Sequence, residues 1–462
     1  MEYDCFDKRN LNYFHGVLVT RAAGGMGFIK LKKYNRYKLL LPQFFKNNRR
    51  SLGNLLPANS LAILNSNDVM PTNGDGVMKF VQQSDLYYLS GIDQEETVLA
   101  LAVSADKKLR EFLFVRETSS LLAIWEGEKL TIEEAREMSG IQNVYWLDEM
   151  PGMLRSLILE SEQVYLNDNE HLRADNKVQT RDARFLKWCE KEFPLQQYRR
   201  LAPLLQTLRV IKQPAEIEMI KEAAKIGAYA LVRVLQFTKP NVYEFEVEAE
   251  MTRALLQKRS RRHAFLPIIA AGASACILHY IDNNRPCRDG DLLLLDFGAE
   301  YGNYNCDISR TIPVNGRYTE RQAQVYDAVK AIHDFACGLL KSGTDFSEYV
   351  NEVRDFTAHK VVELGLEDKQ ALETRESRRL LAHRYMPHGV SHFLGLDVHD
   401  VGGLSGKMKA GMVLTCEPGL YIKEEGLGIR LESDVLVTDG APVNLTGDIP
   451  MDREAIENIM NR

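Results

Sequence analysis

At 462 residues the chain exceeds what one hydrophobic core sustains, so two or three domains are expected. Hydrophobic residues at 45% and charged ones at 26% are ordinary for a soluble globular protein, and a net charge of -6 argues against nucleic acid as a partner. No apolar stretch approaches the roughly 20 residues a membrane span requires, and Arg21 interrupts the short apolar run near the start, so neither a membrane segment nor a secretory signal is expected.

Seven cysteines, an odd number without a CxxC pair, point to reduced thiols and a cytoplasmic home. Residues 1–35, with Gly24-Gly25-Met26-Gly27 and the start of a basic run, read as an extension of unknown role rather than a binding arm. A first domain is expected over 36–197. Its apolar runs 60–64 (SLAIL), 97–103 (TVLALAV), 111–115 (EFLFV) and 163–166 (QVYL) predict strands, and 131–139 and 150–161 predict helices. The polar, basic stretch 198–213 marks a boundary. Pro214 then opens a helix with Glu216 and Glu218 in its first turn and Ile217, Ile220, Ala224, Leu231 and Leu235 as its apolar stripe.

In the second domain, 198–462, strands are predicted at 264–271, 292–297 (LLLLDF), 412–416 and 433–437. Thr319 with Gln322 forms a capping box before a helix bearing Val325, Ala328, Val329 and Ile332. Long helices flanking a largely antiparallel sheet make an α+β arrangement. No glycine-rich dinucleotide loop follows a strand, so Gly402-Gly403 reads as a turn.

Potential ligands sit at the ends of these strands. Asp296 closes four leucines, and Asp307 follows a tight hairpin at Tyr301-Gly302, which places both carboxylates near one end. So close, they would repel unless a cation lay between them; the competing reading is that each caps a turn. The segment HGVSHFLGLDVHDVGG, 388–403, holds His388, His392 and His399 among glycines and apolar residues, unlike a solvated run. Glu417 ends a strand before Pro418-Gly419, while Arg430 and Glu432, two apart, are expected to share one face of one strand. Arg430 could orient a carboxylate, hold a substrate terminus, or form a surface ion pair. Asp296, Asp307, His392, Glu417 and Glu432 together make a hard, oxygen-rich donor set suited to manganese or another octahedral divalent ion. Four carboxylates suffice to bridge two ions, the arrangement that activates water for hydrolysis.

The motifs LLLLDFGAEYGNYNCDISRTIPVNG, HGVSHFLGLDVHDVG, GMVLTCEPGLYI and GIRLESD resemble, in order and spacing, the pita-bread metallopeptidases: aminopeptidase P, prolidase and methionine aminopeptidase. The resemblance runs from about residue 201 to the C-terminus, and QQSDLYYLSGIDQEETVLALAV, 82–103, is similar to the N-terminal domain of aminopeptidase P. It implies a pita-bread catalytic domain behind a smaller α/β domain. It further implies that Asp296 is a terminal ligand of one metal, that Asp307 and Glu432 bridge two ions, and that His392 and Glu417 complete the second. A hydroxide between two Mn2+ ions would be the nucleophile, with Glu417 passing its proton to the leaving amine. His279, His388 and His399 would contact substrate and stabilise the tetrahedral intermediate, and Tyr421 and Arg430 would orient the site.

The implied substrates are peptides with proline in second position, cut by a homo-oligomer, dimer or tetramer. His399, Phe393 and Leu396 are candidates for the wall of the proline pocket. Two alternatives stay open: an Xaa-Pro dipeptidase (prolidase), and a non-catalytic binding module or chaperone of the same fold. The serine of HGVSH and the 82–103 segment look more like aminopeptidase P, and the intact ligand set argues against a non-catalytic relative.

Overall fold

The computed structural model describes residues 36–175 and 177–462; the extension expected at 1–35 lies outside the described residues. The first sheet is built around β1 (Ser60–Asn65) and β2 (Val98–Val103), whose continuous apolar runs are buried along their full length. Such runs suit a strand covered on both faces, and their side chains alternate between two cores. Ala62, Leu64, Leu99 and Leu101 enter one core, while Leu61, Ile63, Val98 and Ala100 enter the other. With β3 (Leu109–Val115), β4 (Asn143–Trp146), β5 (Gln163–Leu166) and β6 (Gln197–Arg200), the strand order is β4-β3-β2-β1-β5-β6. β1, β2 and β3 are antiparallel neighbours, whereas β4, β5 and β6 join in parallel through helical connections.

Helices Pro42–Leu55, Ser84–Ser90 and Ile132–Ser139 cover one face, and Met150–Glu160 and Arg181–Glu192 cover the other. Strand β6 runs parallel to β5, with Gln163 opposite Gln197 and Leu166 opposite Arg200. The first sheet therefore continues to Arg200, and the boundary expected between residues 197 and 198 falls inside a strand. The free edge of β5 supplies that pairing, which the QYRR sequence does not announce.

The second half contains β7 (Ile268–Ala271), β8 (Leu292–Phe297), β9 (Glu300–Tyr301), β10 (Tyr304–Asn305) and β11 (Ile308–Pro313), with β7, β8 and β11 in one antiparallel sheet of order β11-β8-β7. β7 is shorter than expected, beginning at Ile268 rather than at residue 264. The predicted hairpin is present, with Tyr301 opposite Tyr304 and both intervening residues, Gly302 and Asn303, at positive φ (59° and 70°). That is the type I′ signature, which suits glycine and asparagine. A second antiparallel ribbon is made by β12 (Val413–Cys416), β13 (Gly419–Ile422), β14 (Leu427–Arg430) and β15 (Ser433–Leu436), edged by β16 (Val443–Asn444). Helices Pro214–Phe237, Glu244–Gln257, Glu320–Leu339, Phe346–Glu363 and Arg375–Tyr385 pack around these sheets on one large apolar core. The Thr319 capping box forms as expected: Thr319 Oγ1 accepts the Gln322 N–H at 3.3 Å, and the Gln322 side chain accepts the Thr319 N–H at 2.9 Å. The architecture is α+β, with the first α/β sheet preceding the helix-flanked antiparallel half.

Candidate metal centre

The β12–β15 and β13–β14 pairings are interrupted at matching places, between Cys416–Ser433 and Gly419–Arg430. Pro418 has no N–H to continue a ladder, and the chain leaves regular pairing at Glu417-Pro418 and again at Leu431-Glu432. The freed amides find other acceptors: Glu417 N–H donates to the Val390 carbonyl at 2.9 Å, and Glu432 N–H to the Ser309 carbonyl at 3.1 Å. Both carboxylates thus stand in the break, facing the β8–β11 pair and the histidine segment. Arg430 and Glu432 do not share one strand as expected, because Arg430 ends β14 and Glu432 lies in the interruption before β15.

On the opposing pair, Asp296 of β8 lies across from Ser309 of β11, and Asp307 precedes β11 by one residue. The strands come very close just beyond: a Cβ at Gly298 would lie 2.0 Å from the Cys306 carbonyl oxygen. The Asp307 N–H donates to Asp434 at 3.1 Å, and Ser309 Oγ donates to Glu432 at 2.7 Å.

His392 closes the group. Its Nδ1 lies 2.9 Å from the Phe393 carbonyl, which can only accept, so Nδ1 carries a proton and Nε2 is the nitrogen turned toward the carboxylates. That Nε2 is 3.6 Å from Asp307 Oδ2 and 3.8 Å from Glu417 Oε1. Asp307, His392 and Glu432 each present one ligand atom within 4.8 Å of the others. Among the described residues, the buried Oδ1 atoms of Asp296 and Asp307 also have no hydrogen-bond partner. Burial, then repulsion from Asp296, pushes the Asp307 carboxyl well above its ordinary range. Glu432 is driven up by burial and by Asp307, and Glu417 is lifted by burial to about 7. This donor set fits divalent cations.

Around it stands a hydrogen-bonded frame. Buried Arg430 donates to Asp296 at 2.6 Å, to Ser309 Oγ at 2.9 Å and to the Tyr421 hydroxyl at 2.7 Å, so it orients a carboxylate rather than forming a surface pair. His388 Nε2 meets the same hydroxyl at 2.9 Å, and its Nδ1 is 2.7 Å from the Gly389 carbonyl and 3.7 Å from Glu417. Burial and the Arg430 charge lower His388 to about 4. The His399 ring packs edge-on to His392 with centroids 4.3 Å apart, and it too is lowered, to about 3, by burial and then by His392. Both imidazoles are therefore neutral at neutral pH. His279 is exposed, after the turn Gly272–Cys276.

Phe393 is not a pocket wall, whereas Leu396 lines a small cavity of about 120 Å³ beside Ser84, Asn305 and Val398. Phe393 is sealed against Phe346, with ring centroids 5.9 Å apart, and Leu396 belongs to the core shared with the first sheet. Sequence reasoning also missed Asp434, which holds the Asp307 backbone, Ser309, which joins Glu432 to Arg430, and Arg173, which lies 3.0 Å from His399. Asp434 could have been found from its alternation with Glu432. Nothing local marks Arg173, which lies far away in sequence.

Residues 218–439 match the family model of metallopeptidase family M24, and residues 45–165 match that of the aminopeptidase P N-terminal domain. The Xaa-Pro aminopeptidase of Haemophilus influenzae is 31% identical over 439 residues, spanning 92% of this chain and 98% of its own length. That of Escherichia coli is 32% identical over 435 residues, spanning 90% and 97%. The solved structure of proline aminopeptidase P II from Yersinia pestis superposes with a TM-score of 0.82 at 31% identity, covering 91% of this chain and 100% of that one. The fold is that of a pita-bread metallopeptidase. The chain belongs to metallopeptidase family M24, in its aminopeptidase P branch.

Proposed function

We propose that this chain is a metal-dependent Xaa-Pro aminopeptidase, releasing the first residue of peptides that carry proline second. The observation that carries the reading is the convergence of His392 Nε2 with Asp307, Glu417 and Glu432, in a chain of this family. Asp296, Asp307, His392, Glu417 and Glu432 would hold two divalent ions, for which the oxygen-rich donors favour Mn2+. When bound, these ions supply the Lewis acidity that polarises the scissile carbonyl and activates water.

The chain's own groups do the rest. The proline nitrogen of the scissile bond is a tertiary amide with no hydrogen, so it leaves only if a proton is delivered to it. Glu417, 3.7 Å from His388, would carry that proton. His388 and His399, both neutral, would act as hydrogen-bonding groups toward substrate, with His279 at the exposed rim. Arg430 and the Tyr421 hydroxyl hold Asp296 and His388 in register. Residues through Arg200 would form the smaller domain and the remainder the catalytic one.

The same reading includes a homo-oligomer and a cytoplasmic home. The helix Ser120–Trp125 leaves Leu121, Ile124 and Trp125 more than half exposed, a patch that favours self-association. The free cysteines among the described residues suit a reducing compartment. No helix among the described residues is long and apolar enough to cross a membrane.

The test strips the protein with chelator, restores manganese, and offers an Xaa-Pro-Yaa tripeptide beside an Xaa-Pro dipeptide, with products identified by mass spectrometry. Release of the first residue from the tripeptide alone is expected. Cleavage of the dipeptide alone would replace this reading with prolidase, and manganese binding without cleavage of either would remove the substrate class.

A further inference from the structure

Cys416 precedes Glu417, but its side chain turns to the helix Glu320–Leu339, where its Sγ lies 3.6 Å from the His333 carbonyl. His333 and Cys337 are one turn apart on that helix and so share a face. Cys337 Sγ is 3.5 Å from His333 Nε2, and one ligand atom from each of His333, Cys337 and Cys416 lies within 4.8 Å of the others. Two adjacent donors on a tetrahedral zinc, with Zn–S about 2.3 Å and Zn–N about 2.0–2.1 Å, stand about 3.6 Å apart. The Cys337–His333 separation already matches that edge.

The surroundings match a metal site as well. His333 Nδ1 lies 3.2 Å from Asp334 Oδ1, the carboxylate–histidine contact that fixes the proton on Nδ1 and leaves Nε2 for a metal. Ser433 Oγ stands 3.1 Å from the same Nε2. Buried Arg310 gives its hydrogen bonds to the carbonyls of Ser309, Glu432, Ile449 and Pro450, which leaves its charge to favour anionic sulfur nearby. An ion can arrive from outside, because a cavity of about 430 Å³ lined by Arg310, His333, Asp334, Thr446 and Asp452 opens onto the imidazole.

We infer that His333, Cys337 and Cys416 form a second metal site, for one zinc-class, thiophilic divalent ion, with the fourth position left to water or the Ser433 hydroxyl. Binding exchanges the ion for two protons, one from Cys416 and one from the Cys337–His333 pair. The two sites sort ions by donor chemistry: thiolates select the softer cation, and the carboxylate cluster the harder one. The inference does not rest on the peptidase reading.

The experiment uses the full chain, reduced, loaded with manganese and titrated with Cd2+ under argon. It reads the ultraviolet sulfur-to-cadmium charge-transfer band, which oxygen and nitrogen ligands do not give. A band that saturates at one equivalent is expected. Cys337→Ser should weaken it sharply while the bound manganese is retained. Asp334→Asn leaves every ligand in place and should weaken Cd2+ binding by about 10–100-fold, the usual cost of losing a ligand's hydrogen-bond partner. Absence of a saturable band in the wild-type protein overturns the inference. So does a band of equal strength and affinity in Cys337→Ser, because the sulfur would then come from other cysteines.

Discussion

Asp307 is almost fully buried, with its backbone tied to Asp434, one carboxylate oxygen facing His392 Nε2 and the other without a partner. An amide at this position would keep the shape but lose the charge that holds a cation. Asp307→Asn should therefore lower metal affinity by more than the roughly 10–100-fold that a ligand's hydrogen-bond partner is worth, and turnover should fall with it. Calorimetric titration with Mn2+ measures the first, and a variant with full turnover and full metal content would remove Asp307 from the centre. His388 makes the opposite case. It meets Tyr421 and the Gly389 carbonyl and stands beside Glu417 without joining the three-atom cluster. His388→Ala should cost about 100-fold in kcat, the scale of losing one positioned hydrogen-bonding group, with bound manganese unchanged by elemental analysis. Loss of metal in this variant would make His388 a ligand.

At the scale of the element, the helix Pro214–Phe237 shows how a start signal can hide a buried charge. Glu216 accepts the Gln213 N–H at 2.8 Å, as a first-turn acid should, yet it is 2% exposed and also accepts the Tyr304 hydroxyl at 3.1 Å. Burial lifts its carboxyl to about 7. A folded-state value above the unfolded one means that ionisation disfavours the fold. The penalty is full above about pH 7, shrinks as pH falls, and is gone near the unfolded value of about 4.3. Glu216→Gln should accordingly stabilise by on the order of 2–3 kcal/mol at pH 8 and by nearly nothing at pH 4.5. Thermal unfolding at the two pH values checks it, and equal shifts at both would mean that the carboxyl is not perturbed.

The same helix shows what was legible in the sequence. Its apolar stripe, apart from the half-buried Ile217, the Thr319 capping box and the unbroken runs of β1, β2 and β8 are local patterns that form. Residues whose environment comes from a distant strand were not legible. QYRR becomes β6 because β5 has a free edge, and Arg430 and Glu432 part company because Pro418, on the neighbouring strand, breaks the ladder they would have shared. Phe393 reads as a pocket residue from its place beside the histidines, whereas packing against Phe346 seals it. The ligand types were visible because their carboxylates end apolar runs; the partners that aim them, Ser309 and Asp434, look ordinary until the strands are paired.

Over the whole molecule, one buried cation joins the first sheet's helices to the histidine segment. Arg209 donates to Asp85 at 2.7 Å and to Asp397 at 2.8 Å and also engages Asp400, while Lys212 meets Asp400 at 2.8 Å and Ser84 meets Asp397 at 2.8 Å. Burial alone would raise the Asp400 carboxyl, but Lys212 and Arg209 outweigh it and hold it low. Asp397 and Asp400 flank Val398 and His399, so the network fixes the ring beside His392 as well as the two regions it bridges. Arg209→Met keeps the length and removes the charge, stranding Asp85 in a buried site and leaving Asp400 with Lys212. Breaking a buried pair from one side costs about 3–5 kcal/mol, so the urea midpoint should fall accordingly, and turnover should fall even where the protein is fully folded, through the loosened His399. Adding Asp85→Asn removes one stranded charge. If the pairing is real, the double variant Arg209→Met/Asp85→Asn regains part of the lost stability, giving a coupling energy of about 0.5–3 kcal/mol. Strictly additive losses would mean that Arg209 and Asp85 do not interact in solution, and that the apolar core shared by the two regions holds them together without this network.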